Sequence, residues 1–127
     1  MSYIAVVLTQ ASKKMLLEAY PPIHTKVFGH HVTLAFKPTP ELQKTLAPHM
    51  GWEVVVEVIG EAHDAHGQAV KVNLPGNLAR CNPNQMYHLT VSCFMGITPV
   101  YSNTLLLGGW TALTEPLQLQ GVVQECL

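Results

Sequence analysis

Two segments of the chain, His31-Val32-Thr33-Leu34-Ala35 and His88-Leu89-Thr90-Val91-Ser92, carry one pattern: histidine, apolar, threonine, apolar, small. Both lie in apolar runs that read as strands. Strand side chains alternate between faces, so in each segment histidine and threonine project from one face and the apolar residues from the other. Cleaving a phosphate ester takes a base for the nucleophile and an acid for the leaving oxygen. Imidazole, with an ordinary pKa of about 6.5, does either job near neutrality. Threonine hydroxyls donate hydrogen bonds to non-bridging phosphate oxygens as their charge grows in the transition state. His31 and His88 are therefore the candidate acid–base pair, without either role assigned, and Thr33 and Thr90 the candidate phosphate holders.

These residues need elements that bring them together. Tyr3–Leu8 reads as a first strand, and Thr9 or Ser12 caps a helix running to about Tyr20, ended by Pro21-Pro22. A loop leads past Gly29 to the first motif strand, about His30 to Phe36. Thr39 is placed to cap a short helix that begins with Pro40 and reaches about Pro48. Trp52–Ile59 is β-branched and partly alternating, which predicts a strand. A turn around Asp64–Gly67 and a return strand, Gln68–Leu74, follow. Residues 75–84 read as a loop or short helical turn, and the second motif strand as Met86 to Phe94. Ile97–Leu107 predicts a turn or short helix, Gly108-Gly109 a break, and Leu117–Gln124 the last strand.

This order predicts an α+β fold with a largely antiparallel sheet, in one domain spanning 1–127. The repeated motif, 57 positions apart, predicts two lobes related by an approximate two-fold axis, facing each other across a central groove. A composition that is 48% hydrophobic and 12% charged fits a folded globule and excludes a disordered chain. A net charge of -1 excludes a general pull toward nucleic acid, so any RNA contact must be local. Cys81, Cys93 and Cys126 lack metal-ligand spacing and read as reduced, buried thiols of a cytoplasmic protein. The first strand is too short for a membrane span or signal peptide, so no membrane partner is expected.

Other polar residues have plainer structural readings. Asp64 is the sole aspartate, and no carboxylates flank the motif histidines, so a two-metal site lacks ligands and no metal is expected. His63-Asp64-Ala65-His66 has a zinc-like spacing but falls at the hairpin turn, where a solvated polar turn is the plainer reading. His30 points away from His31 in a regular strand, and His24 and His49 read as surface residues. Tyr87, Tyr101 and Ser102 flank the second motif and are candidates for substrate contact, base stacking included. Lys71, Arg80 and Lys37 are single cations that read as solvated, and Trp52 and Trp110 as packing anchors.

His31-Val32-Thr33-Leu34 and His88-Leu89-Thr90-Val91 resemble the twin signature of the two-histidine phosphoesterase superfamily, the LigT-like proteins. In size and opening the chain looks closest to the Swiss-army-knife RNA-repair-like and short cyclic phosphodiesterase branches. The resemblance implies a LigT-like fold with flanking helices and metal-independent cleavage, without a cofactor, of a 2′,3′-cyclic phosphate or a 2′–5′ linkage. The expected substrate is an RNA end, cyclic nucleotide or short oligonucleotide, and the expected state a monomer. A non-catalytic RNA-end or nucleotide-binding module of the same fold is the alternative. A histidine-rich metal-binding β protein is a third reading.

Overall fold

The computed structural model describes residues 2–126. It consists of β1 (Tyr3–Leu8), α1 (Gln10–Ala19), β2 (Lys26–Val27), β3 (His31–Phe36), α2 (Pro40–Leu46) with a 3-10 turn at Ala47–His49, β4 (Glu53–His63), β5 (Gly67–Asn73), α3 (Gly76–Ala79), β6 (His88–Cys93), α4 (Tyr101–Leu107) and β7 (Thr111–Cys126). Both early helices start where the capping residues predict. The Thr9 side chain accepts a hydrogen bond from the Ser12 amide at 3.1 Å, and Thr39 one from Leu42 at 3.2 Å, each satisfying an orphan donor of the first turn.

All seven strands join one antiparallel sheet in the order β2-β6-β5-β4-β7-β1-β3. The expected two lobes are thus halves of one continuous surface, joined where β4 pairs with β7. The sheet curls until β3, at one end, comes into contact with β6, near the other. The chain itself spans this closure. Lys26 and Val27 pair with Cys93 and Ser92, and the amides of Phe28 and Gly29 donate to the carbonyls of Val91 and Thr90 at 2.9 and 2.8 Å. Gly29 then takes a φ of +75°, readily adopted by glycine, and from His31 onward the chain pairs with β1 instead. This short pairing to β6 was expected to be a loop. Two residues leave no period to read.

Val6, Val32, Val56, Val70, Leu89 and Val123 point to one face of the sheet and are fully buried, together with Leu16 of α1, Leu46 of α2 and, 1% exposed, Leu78 of α3. Each such side chain contributes about 1.5–3 kcal/mol. α4 packs on the other face, Leu106 meeting Ala62 and Ala69. That switch of face along β4 is made by an irregularity between Val58 and Gly60, where the register with both neighbours shifts. β7 is longer than expected for a related reason. Its pairing with β4 runs over Thr111–Ala112 and again over Leu117–Val122, interrupted around Pro116, which has no amide to donate. The sequence signal resumes only after that proline.

Gly121 is where β7 and β1 approach most tightly. A Cβ there would sit 2.6 Å from Val6 Cγ1 and 2.8 Å from the Val7 carbonyl oxygen. Backbone cannot yield as a flexible side chain does. Gly121→Ala is expected to destabilise the protein by about 1–3 kcal/mol, read from the urea midpoint.

Candidate functional site

The closure of the sheet decides where the two motifs meet. On β3, His31 pairs with Val7 and Thr33 with Ala5 of β1. On β6, His88 pairs with Lys71 and Thr90 with Ala69 of β5. Between them Val32, Leu34, Leu89 and Val91 enter the core, so all four motif side chains emerge on the face opposite the core. Asn82, in the segment before β6, donates its side-chain amide to the Leu34 carbonyl at 2.8 Å and ties the motif strands further. The histidines are close enough that the charge of His88 bears on His31.

His31 is held by its neighbours. Its ring lies 5.1 Å from that of Tyr3, and its Nδ1 shares a hydrogen bond of 2.9 Å with Nδ1 of His30. One of the two must carry the proton, and Nε2 of His31 is left for other partners. His30 was expected on the opposite face. It lies instead before the first residue of β3, outside the strand's alternation, and reaches round to its neighbour. Burial lowers the His31 pKa to about 4, helped by the positive charges that His30 and then His88 would carry. At neutral pH His31 is an uncharged imidazole.

His88 is supported differently. Its Nδ1 lies 3.1 Å from the Met86 carbonyl, which only accepts, so Nδ1 carries the hydrogen and Nε2 faces the remaining surroundings. Burial pulls its pKa below the ordinary value; the Met86 carbonyl works the other way by favouring the imidazolium, and the ammonium of Lys71 adds to the lowering. Lys71 is itself pulled down by burial. It was expected to be merely solvated. Pairing of β5 with β6 places it directly beside His88, and that register is not legible from either strand alone.

The threonines differ. Thr33 is half-buried on β3. Thr90 is buried beneath α4, with its hydroxyl 2.8 Å from that of Ser102 and 3.4 Å from the Pro99 carbonyl. When Ser102 donates, the single Thr90 hydrogen points to the Pro99 carbonyl, a long bond that it must leave to reach a phosphate. Ser102, expected among substrate contacts, is 2% exposed and touches Thr90.

The tyrosines lie elsewhere. Tyr87 enters the core, its hydroxyl donating to the carbonyls of Ala79 at 2.9 Å and Asn82 at 3.1 Å, so it braces the loop before β6 and does not face the histidines. It precedes the first residue of β6, but its carbonyl still accepts from the Val72 amide at 3.1 Å, and its ring turns to the core side. Tyr101 donates to the Asp64 carboxylate and lies against His66. His63-Asp64-Ala65-His66 forms the turn between β4 and β5, closed by Asp64 Oδ1 accepting from the amides of His66 and Gly67 at 2.8 and 3.0 Å. His24 reaches this turn, its Nε2 2.9 Å from the Asp64 carbonyl.

No family model and no curated protein sequence matches the chain. Its fold is similar to that in the crystal structure of a fungal RNA kinase, with a TM-score of 0.62 and 16% identity. The likeness covers 95% of this chain and 45% of that one, so the chain spans less than half the length of the fungal structure. No helix among the described residues is long and apolar enough to cross a membrane.

Proposed function

We propose that the chain is a metal-independent phosphoesterase of the two-histidine type, acting on a 2′,3′-cyclic phosphate or a 2′–5′ phosphodiester of RNA or a nucleotide. The observation that carries this reading is the convergence of two His-x-Thr strands on one non-core face, with the two imidazoles in electrostatic reach of each other. A fold shared with that of a fungal RNA kinase is consistent with a substrate at an RNA end.

In this mechanism His31 is neutral at its lowered pKa and donates its Nδ1 hydrogen to His30, which leaves Nε2 bare to take a proton from the attacking water. The water oxygen bonds to phosphorus as the ring P–O bond breaks. Nε2 of His88 delivers its proton to the departing ribose oxygen, and the Met86 carbonyl supports the imidazolium beforehand. Thr33, Thr90 and the ammonium of Lys71 bear on the non-bridging oxygens. The product is a phosphomonoester, and exchange with solvent resets both histidines.

The test is a panel of 2′,3′-cyclic nucleotides and 2′–5′ and 3′–5′ dinucleotides incubated with chelator-treated protein, with products assigned by phosphorus NMR. Conversion of the cyclic phosphates to one monoester isomer, or cleavage of the 2′–5′ dinucleotides, is expected, undiminished by the chelator. Binding without turnover across the panel would instead make the chain a nucleotide-binding module. Loss of activity on chelation would rule out the two-histidine mechanism.

A further inference from the structure

We propose that the exposed face of Trp110 receives the base of the nucleotide whose phosphate lies between His31 and His88. The inference rests on the phosphoesterase reading and adds the part of the substrate that the four motif residues do not touch.

Trp110 reads from sequence as a packing anchor, but its placement is unusual for one. A Cβ at Gly60 would lie 2.0 Å from Trp110 Cε3, so the indole rests directly on the backbone of β4 with no side chain beneath. Gly60 thus has a specific use, since any other residue would displace the ring. Gly109, at a φ of +122°, supplies the backbone conformation that immediately precedes the ring. Yet Trp110 remains 41% exposed. One side is seated on the strand, and about two-fifths of the residue stays open to solvent.

The strand on which it sits leads to the site. Gly60 pairs with Lys71, and Lys71 pairs with His88. Residues paired across antiparallel strands share a face, so the indole, the ammonium and the imidazole form one row across β4, β5 and β6. Two strand spacings separate its ends, about 10 Å, which is the reach of a single nucleotide. A base on the indole, a ribose over Lys71 and a phosphate at His88 follow that row. The indole also borders a cavity of about 510 Å³ between α4 and the end of β4, whose lining does not include Lys71 or His88, so the base is placed on the ring itself. Trp52 offers no such geometry. It packs on His49, with ring centroids 4.7 Å apart, before β4 begins.

Stacking on an aromatic side chain is tolerant of base identity and favours the larger purine face. The test compares 2′,3′-cyclic AMP with the 2′,3′-cyclic phosphate of 1-O-methylribose, which lacks a base. The wild type is expected to prefer the nucleotide, and Trp110→Ala to raise its KM about 5- to 150-fold while leaving kcat/KM for the baseless substrate unchanged. Trp110→Phe, which keeps a ring, should recover most of the loss, and melting curves check that both variants fold. A second readout is independent of turnover. In a Trp52→Phe protein, whose only tryptophan is Trp110, adenosine 2′- or 3′-monophosphate should quench the fluorescence and ribose phosphate should not. Quenching without hydrolysis would retain the base site while removing the enzymatic reading. Equal losses on both substrates, or fluorescence blind to the base, would overturn the proposal for Trp110.

Discussion

Replacing either His31 or His88 by alanine is expected to lower kcat for a 2′,3′-cyclic nucleotide by about 10²–10⁴-fold, the range that a positioned acid or base contributes. The two losses should not add. Once one imidazole is gone, proton transfer at the other end of the reaction no longer limits in the same way. The double variant is therefore expected to fall little below the worse single one. Both variants should fold, because both side chains stand on the face away from the core and neither fills it. His31→Ala removes a half-buried ring that touches Tyr3 and His30, and His88→Ala frees one backbone carbonyl of Met86. Steady-state assays beside thermal melts separate loss of chemistry from loss of fold. Full activity in either variant would dismiss the pair.

A second large effect is the pH dependence. kcat/KM reports the ionisation of the free protein, and the base must be neutral while the acid is protonated. Activity should fall as pH drops through about 4, where His31 takes up a proton. It should also fall as pH rises through the pKa of His88, which burial holds below the ordinary 6.5. The optimum for kcat/KM therefore lies in mildly acidic solution, and above it the rate declines toward tenfold per pH unit. Bound phosphate is anionic and favours both imidazolium ions, so the kcat profile should sit at higher pH than that of kcat/KM. His30→Ala identifies the acidic limb. Removing the neighbouring positive charge should raise the His31 pKa and move that limb upward, although burial, the larger cause, keeps it below its ordinary position. A limb unmoved by this substitution would assign the titration to another group.

Most of the sheet was legible, because its signals are local. Tyr3–Leu8 matched residue for residue, the capping threonines Thr9 and Thr39 stood where their helices begin, and the Asp64 turn joins the two strands expected around it. The motif alternation likewise put Val32, Leu34, Leu89 and Val91 in the core and the histidines outside it. What escaped depends on contacts between distant segments. The crossing of Lys26–Gly29 from β6 to β1 is too short to carry a period, yet it brings the motif strands together. Lys71 looked like one solvated cation among three until strand register set it beside His88. His30 escaped because the strand starts one residue later than its sequence pattern implied. Tyr87, Tyr101 and Ser102 are close to the second motif in sequence but separate in the fold. Tyr87 turns inward just before β6, α4 carries Tyr101 to Asp64, and Ser102 stops at Thr90.

If two imidazoles alone move the protons of phosphate-ester cleavage, His88 is indispensable to turnover. Phosphorus NMR of chelator-treated wild type and His88→Asn, side by side on a 2′,3′-cyclic nucleotide at mildly acidic pH, tests it most directly. The cyclic phosphate resonance is expected to give way to a single monoester in the wild type and to persist in the variant. Equal turnover by both proteins, or turnover by neither, would contradict it.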